Sequence, residues 1–205
     1  MAKFSQSLDR WNSRFSTPNY LFGTKVNHYL SSQKDRLDIG KALSIADGEG
    51  RNSVWLTQQG IAVDAFDFSP VAIEKANQLA RENRVSVHFS CSDWQSFVWP
   101  KSTYDYVVGI FFQFADPQDR AEIFARMDQS LKSGGLVIIQ GYSEKQLEYN
   151  TGGPGVLENL YTEDLLRSAF AGYQIIDSRT YEQEIEEGDG HAGMSALVGF
   201  VAQKP

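Results

Sequence analysis

Cysteine and long apolar runs are both scarce in this sequence, and each scarcity narrows the class of protein. The 205 residues include one cysteine, Cys91, which cannot form an internal disulfide, as is typical of a reducing compartment. We expect Cys91 to be buried as a small apolar side chain, because no base accompanies it as a nucleophile would require. The apolar runs fall short of the roughly 20 residues that span a bilayer, and the first residues lack the apolar core of a secretion signal. We therefore predict a cytoplasmic protein with no membrane partner.

Positive charge is also scarce. Lys and Arg number 19 against 26 Asp and Glu, which gives a net charge of −7, and the basic residues are scattered along the chain. Binding to a nucleic-acid backbone needs concentrated Lys and Arg, so we expect no nucleic-acid partner. The length and the 41% hydrophobic content favour one domain spanning residues 1–205.

The most informative stretch reads as a strand, a glycine turn and a helix. The apolar run Leu43–Ala46 is followed by Gly48 and Gly50, and a helical pattern starts at Asn52. This arrangement offers free backbone N–H groups and a helix N-terminus to a polar ligand. Glycines let the backbone turn sharply and let a ligand approach closely.

Two acids follow at the ends of the next two predicted strands. The strand 61–67 ends at Asp67, close to where a nucleotide-binding unit places the carboxylate that binds ribose hydroxyls. The strand Val85–Phe89 is followed by Asp93 and Trp94. Asp93 could accept a hydrogen bond from an adenine amino group, and Trp94 could offer a flat apolar surface to the adenine ring. Ligands of open α/β sheets bind outside the carboxyl ends of the strands, so the three strand ends together predict an adenosine site.

Four segments carry a resemblance to a known family: LSIADGEGRN, VDAFDFSPVAIEKA, CSDW and LKSGGLVIIQGY. They resemble the class I S-adenosylmethionine-dependent methyltransferases, and more narrowly the small bacterial branch related to tellurite-resistance and thiopurine methyltransferases. The resemblance runs from about Trp11 to Pro205, and TGGP and EEGDGHAG resemble that branch without indicating the chemistry. It implies S-adenosyl-L-methionine as cofactor and a small-molecule methyl acceptor.

The chain departs from the family in the first strand, where an acid and a closing glycine are common. Here Ser44 and Ala46 stand in those places. We expect Ala46 to restrict φ, so that the turn begins at Gly48, and Asp47 to take over some of the polar contacts.

The order of the predicted elements agrees with the resemblance. Strands alternate with helices, including a helix that starts at Ser69-Pro70 and one closed by Gly134, and further strands are predicted at 104–110 and 136–139. Two β-type segments, 172–185 and 195–204, are expected to pair antiparallel. We predict an α/β fold: a Rossmann-like doubly wound sheet of about seven strands, mostly parallel, with an antiparallel C-terminal edge strand and helices on both faces. Residues 1–40 would form a helical lid, 41–141 the cofactor-binding core, and 142–205 the acceptor side.

The resemblance and the strand ends together give a set of candidate site residues. The predicted cofactor-binding residues are Trp11, Arg14, Ala46, Asp47, Gly48, Gly50, Arg51, Asn52, Asp67, Phe68, Ser69, Ser92, Asp93, Trp94, Ile110 and Phe111. The predicted acceptor-binding residues are Tyr20, Phe22, Phe112 and Tyr142.

His191 is the candidate catalytic residue. It lies in a glycine-rich loop beside acids that would hold its tautomer and raise its basicity. The alternative is a loop histidine that bonds the backbone. We expect no metal, because no pair of ligand histidines or cysteines accompanies these acids.

Three functions remain open from the sequence. Enzymes that methylate base amino groups often carry an Asn/Asp-Pro-Pro-aromatic motif where this chain has Gly109-Ile110-Phe111-Phe112. This favours methyl transfer to a small acceptor of thiol, oxygen or chalcogen type, by a monomer or homodimer. The altered Ser44 and Ala46 leave open a protein that binds S-adenosylmethionine without transfer. An NAD-dependent oxidoreductase would use the same turn, but Ser53 occupies the place of the third glycine in G-x-G-x-x-G.

Overall fold

A computed structural model describes residues 2–149, 151–188 and 190–205, with side chains from residue 7 onward. Asp189, which belongs to the predicted loop around His191, lies outside the described residues. The strands are β1 (Lys41–Ile45), β2 (Ala62–Asp67), β3 (His88–Cys91), β4 (Tyr104–Ile110), β5 (Leu131–Tyr142), β6 (Gln174–Glu187) and β7 (His191–Gln203). The helices are α1 (Ala2–Phe15), α2 (His28–Ser32), α3 (Arg51–Gln58), α4 (Pro70–Glu82), α5 (Pro117–Ser130), α6 (Gln146–Tyr149) and α7 (Glu163–Ala169), with short 3-10 turns at Lys34–Arg36 and Leu157–Asn159.

The described strands form one seven-stranded sheet in the order β3-β2-β1-β4-β5-β7-β6. The first five strands of this order are parallel, and β7 runs antiparallel to both β5 and β6. The predicted Rossmann-like fold is therefore confirmed. The antiparallel strand β7 lies one place in from the edge, which β6 forms.

The central strands are apolar because helices cover both of their faces. Leu43 and Val107 point into a core cluster shared with α5 and α7. Ala42 and Val108 alternate to the opposite cluster, which includes residues of α2 and α3. Burial on both faces explains the continuous apolar run of β4.

Several details of the elements differ from the sequence prediction. The third strand is His88–Cys91 rather than Val85–Phe89, because Asp64–Asp67 of β2 pair with residues 88–91. Cys91 is exposed rather than buried, since it ends an edge strand. Helix α5 ends at Ser130 rather than at Gly134, and the buried Leu131 already pairs with Tyr104.

The helix predicted at Ser69-Pro70 is confirmed. Proline occupies the start of α4, and the Ser69 hydroxyl accepts a hydrogen bond from the backbone N–H of Ala72 at 3.2 Å. This cap fixes the direction in which the chain leaves β2. Because β1 to β4 pair in parallel, their carboxyl ends meet at one edge of the sheet.

Candidate active site

A cavity lies at the carboxyl edge of the sheet, beneath α1 and the tip of the β6–β7 hairpin. Most of the predicted site residues line it, namely Trp11, Phe22, Ala46, Asp47, Gly48, Arg51, Asn52, Asp67, Phe68, Ser92, Asp93, Trp94, Ile110, Phe111, Phe112 and His191. Five predicted residues do not line it: Arg14, Tyr20, Gly50, Ser69 and Tyr142. Ser44, Phe15, Phe66 and Phe114 line it as well, although the sequence did not place them there.

The turn after β1 begins at Ala46, not at Gly48 as predicted. Ala46 adopts a left-handed conformation with φ of +47°, and Gly48 and Gly50 follow at +60° and +87°. A left-handed alanine costs about 1–2 kcal/mol because its Cβ crowds the next carbonyl. The first residue of the turn is therefore a strained one.

The two glycines of the turn have different roles. A Cβ on Gly50 would lie 2.8 Å from the Ala76 Cβ on α4, so Gly50 allows close packing of two helices and does not face the cavity. A Cβ on Gly48 would meet only the Phe15 ring, at 3.6 Å. Gly48 therefore keeps the cavity open at the centre of the turn.

Asp67 joins the end of β2 to this turn. Its carboxylate accepts hydrogen bonds at 2.9 Å from the backbone N–H groups of Gly48 and Ser69. Burial raises the pKa of Asp67 to about 6, although these donors oppose the shift. Each carboxylate oxygen has a second lone pair, so Asp67 retains the capacity to bind hydroxyl groups.

Asp47 follows Ala46 in the turn and is hydrogen-bonded to β1. Its Oδ1 accepts a hydrogen bond of 2.6 Å from the Ser44 hydroxyl, and its buried Oδ2 has no hydrogen-bond partner among the described residues. Burial raises the pKa of Asp47 to about 6, and the bond from Ser44 acts in the opposite direction. Ser44 and Asp47 thus form a hydrogen-bonded pair that ties the turn to β1.

The adenine contacts expected of Asp93 and Trp94 stay a prediction, and both side chains have other contacts as well. Asp93 Oδ1 accepts hydrogen bonds from the backbone of Gln95 and Ser96, so its carboxylate caps the turn that follows β3. Trp94 is only 8% exposed, and its ring packs in the core and under the Arg126 guanidinium. Both residues border the cavity, and Asp93, like Asp67, keeps carboxylate lone pairs for a ligand.

The other end of the cavity is aromatic. The His191 ring packs between Phe22 and Phe111, with centroid distances of 4.3 and 4.4 Å. Phe111 holds a left-handed conformation with φ of +55°, a rare one for a bulky residue, and its N–H donates to the Gln140 carbonyl. Strained residues therefore stand at the ends of both β1 and β4, on either side of the cavity.

The expected rise in the basicity of His191 is wrong. Burial lowers the pKa of His191, and Arg51 and Arg14 add to this effect, while Glu187 opposes it. The imidazole is consequently neutral at physiological pH.

The remaining predicted residues lie around the cavity. Tyr20, predicted to bind the acceptor, does not line the cavity. It packs on the α3–α4 side against Val54 and Leu79, and its hydroxyl donates to the Lys75 carbonyl. Tyr142 is buried behind Phe111 and His191, and Arg14 lies over the Trp11 ring at 4.6 Å.

Within the part of the chain that the structure describes, no cluster of three or more metal-ligating side chains occurs. In the same residues, no helix is long and apolar enough to cross a membrane.

Residues 42–135 match the model of a family described as a methyltransferase domain. No similar sequence was found among curated proteins.

Several solved structures have a similar fold. One of them comes from a study of the conversion of a disulfide bond into a thioacetal group during echinomycin biosynthesis. It is 19% identical to this chain, with a TM-score of 0.75, and the alignment covers 98% of this chain and 91% of that one. TehB from Haemophilus influenzae is 17% identical with a TM-score of 0.72, covering 97% of this chain and 67% of that one. An S-adenosylmethionine-dependent methyltransferase from Methanosarcina mazei is 20% identical with a TM-score of 0.69, covering 88% of this chain and 98% of that one.

The fold and the family match together define the class. The match over residues 42–135 and the shared fold indicate methyl transfer as the activity and S-adenosylmethionine as the cofactor. The match decides against the NAD-dependent oxidoreductase.

Proposed function

We propose that the enzyme methylates a small, partly apolar molecule at an oxygen, sulfur or other chalcogen atom. The observation that carries this proposal is the division of the cavity into a polar end and an aromatic end. The polar end is built from the tips of β1 and β2, whereas Phe22, Phe111 and His191 form the aromatic end. A cavity of this kind suits a polar cofactor next to an apolar acceptor.

The residues of the polar end fit S-adenosylmethionine. Gly48 leaves space above the turn, and the lone pairs of Asp67 that remain free suit ribose hydroxyls. Arg51 and Asn52 at the start of α3 line the same end and would contact the amino-acid part. When bound, the cofactor supplies an electrophilic methyl group on a sulfonium.

The chain's own residues would act mainly by positioning and by excluding water. Trp11 and Phe15 from α1 and Phe22 from the next loop close the cavity over the strand ends. A dry site that holds an acceptor atom about 3–3.5 Å behind the methyl group, in line with the breaking bond, lowers the barrier without covalent help.

His191 is the residue we assign to proton removal. It lines the aromatic end, and its lowered pKa keeps the ring neutral and able to accept a proton. A hydroxyl or thiol acceptor would lose its proton to this ring as the methyl group arrives.

The aromatic end also supports the choice of acceptor. The charge of Arg51 at the polar end is neutralised by Glu187 through an ion pair of 2.6 Å, and the side chains of the aromatic end are mostly uncharged rings. The sequence resemblance supports the tellurite-resistance and thiopurine methyltransferase branch, and we propose membership in it on that basis.

The test combines calorimetry with a transfer assay. We expect S-adenosylmethionine and S-adenosylhomocysteine to bind the purified protein, and labelled methyl to appear on at least one member of a panel of thiols, phenols and oxidised selenium or tellurium compounds. Binding without transfer to any of these, or to amines included as a comparison, would favour the cofactor-binding protein without transfer. Transfer to amines alone would contradict the acceptor class.

A further inference from the structure

Glu187 joins three separate parts of the chain at the rim of the active site. It is the last residue of β6 and pairs with His191 across the β6–β7 hairpin. Its Oε2 lies 2.6 Å from Arg51 Nη2, and its Oε1 accepts hydrogen bonds from Asn27 Nδ2 at 2.9 Å and from the His28 backbone N–H at 3.2 Å. The side chain is only 10% exposed, so these contacts are shielded from water.

The carboxylate is held in its charged form. Burial raises its pKa, but His191, Arg51 and the His28 N–H together lower the pKa of Glu187 to about 2. It therefore stays ionised throughout the physiological range.

His191 faces this carboxylate without bonding to it. The distance from His191 Nδ1 to Glu187 Oε2 is 3.8 Å, which exceeds hydrogen-bond distance. Nδ1 is buried and lacks a hydrogen-bond partner within the described ranges. A buried ring nitrogen without a partner is unfavourable, and catalytic hydrogen bonds that are long in an empty enzyme often shorten in the complex. A shift of roughly 1 Å would bring the two atoms to bonding distance.

We propose that Glu187 is a positioning residue for methyl transfer. In the cofactor-bound enzyme, His191 donates its Nδ1–H to Glu187 Oε2, which fixes the tautomer and leaves the Nε2 lone pair to accept the proton of the acceptor. This inference rests on the proposed role of His191 and names the residue that orients it.

The same carboxylate connects the two ends of the cavity. Arg51 directly follows Gly50 at the start of α3, and Arg51 Nη1 also donates to the Lys25 carbonyl at 3.3 Å. The Gly190 N–H of the hairpin tip donates to the Leu21 carbonyl at 2.9 Å. The segment from Leu21 to His28 is therefore held between the cofactor turn and the hairpin that carries His191.

The charges around His191 set the expected effect of removing Glu187. Arg51 on α3 and Arg14 on α1 both lower the pKa of His191, Glu187 on β6 raises it, and Tyr142 on β5 packs beside the ring. Without Glu187 the ring faces two cations, so its pKa should fall further and its proton should no longer prefer Nδ1.

The experiment is ¹⁵N NMR of the histidine side chains in the complex with S-adenosylhomocysteine. We expect the Nδ1–H tautomer at His191 in the unaltered enzyme, and a mixture or the Nε2–H tautomer with a lower pKa in Glu187→Gln. Turnover with the best acceptor of the panel should fall about tenfold or more in Glu187→Gln, while S-adenosylhomocysteine affinity should fall by a smaller factor, which reflects the lost ion pair with Arg51.

Two control variants remove the same charge nearby. Glu186→Gln alters an exposed neighbour, and Asp189→Asn alters the second acid beside His191 in the sequence. Both should leave the tautomer unchanged. If Glu187→Gln does not fold, Glu187→Asp withdraws the carboxylate by one methylene and should also lose the Nδ1–H preference.

Two results would overturn the inference: an unaltered tautomer in the folded Glu187 variant, or a tautomer change in Asp189→Asn instead. Both results are independent of whether His191 acts as the base, because the NMR measurement needs no acceptor. Full turnover in His191→Ala would overturn the base assignment itself.

Discussion

The two ends of the cavity are built in different ways. At the polar end, backbone groups and carboxylates from neighbouring strand tips bond to one another, as Asp67 does with Gly48 and Ser69. At the aromatic end, Phe22, Phe111 and His191 come from distant parts of the chain, and their side chains meet through ring packing. The polar end is thus specified locally and suits one fixed ligand, whereas the aromatic end can change with the acceptor without disturbing the fold.

The largest effect is expected for Gly48→Val, which should abolish cofactor binding at the polar end. A β-branched residue is strained at φ of +60°, and its methyl groups would extend from the turn toward Phe15 and fill the cavity. We expect calorimetry to detect no binding of S-adenosylhomocysteine to a folded protein. Gly134→Val is the matched control, because Gly134 has φ of +78° with open space around its Cβ position. Tight binding by Gly48→Val would remove the turn from the site.

His191→Ala should separate the two ends. Because His191 lies at the aromatic end, turnover should fall by about a hundredfold or more, the usual contribution of a general base. Cofactor affinity should change less than about threefold, since the polar end is untouched. Steady-state kinetics and calorimetry on the same preparation measure both. His88→Ala, on the exposed outer strand β3, is the control and should leave both values unaltered.

Asp67→Ala should affect the polar end. It removes a charged hydrogen-bond acceptor, so S-adenosylmethionine binding should weaken by roughly 1.5–3 kcal/mol. Asp64 lies on the same strand and bonds Lys41 and Tyr104 away from the cavity. The variant Asp64→Ala therefore serves as the comparison. Equal affinity for the cofactor in both variants would contradict the assignment of Asp67 to the ribose.

The smallest effect is expected at the strained strand tips. Ala46→Gly relieves a left-handed alanine and should raise the free energy of unfolding by about 1 kcal/mol, or Tm by about 2–4 °C. Phe111→Gly also relieves strain but loses ring contacts with Tyr142 and His191, and burial of a phenyl group is worth about 1.5–3 kcal/mol, so it should destabilise the protein. Calorimetric unfolding of both variants checks the contrast, and a destabilised Ala46→Gly would refute it.

The difference between the two ends of the cavity also explains which features the sequence could predict. The alternation of strands and helices, the glycine turn and Asp67 are local patterns, and they predicted the fold and the polar end. Tyr20 was misplaced because an aromatic in a loop has several surfaces to pack against, and here it joins α3 and α4. Asp93 was predicted to bind adenine from its place after the third strand, and its second role as the cap of the following turn was not foreseen. The lowered pKa of His191 depends on Arg14 and Arg51, whose proximity is a property of the folded chain.

The exposed thiol of Cys91 offers a practical consequence. Its Sγ lies 3.7 Å from the carbonyl oxygen of Phe68, a residue of the cavity wall. With a single cysteine in the chain, one maleimide dye can be attached there without mutagenesis, at mildly alkaline pH because burial raises the pKa of the thiol. Changes in its fluorescence would then report ligand entry in real time.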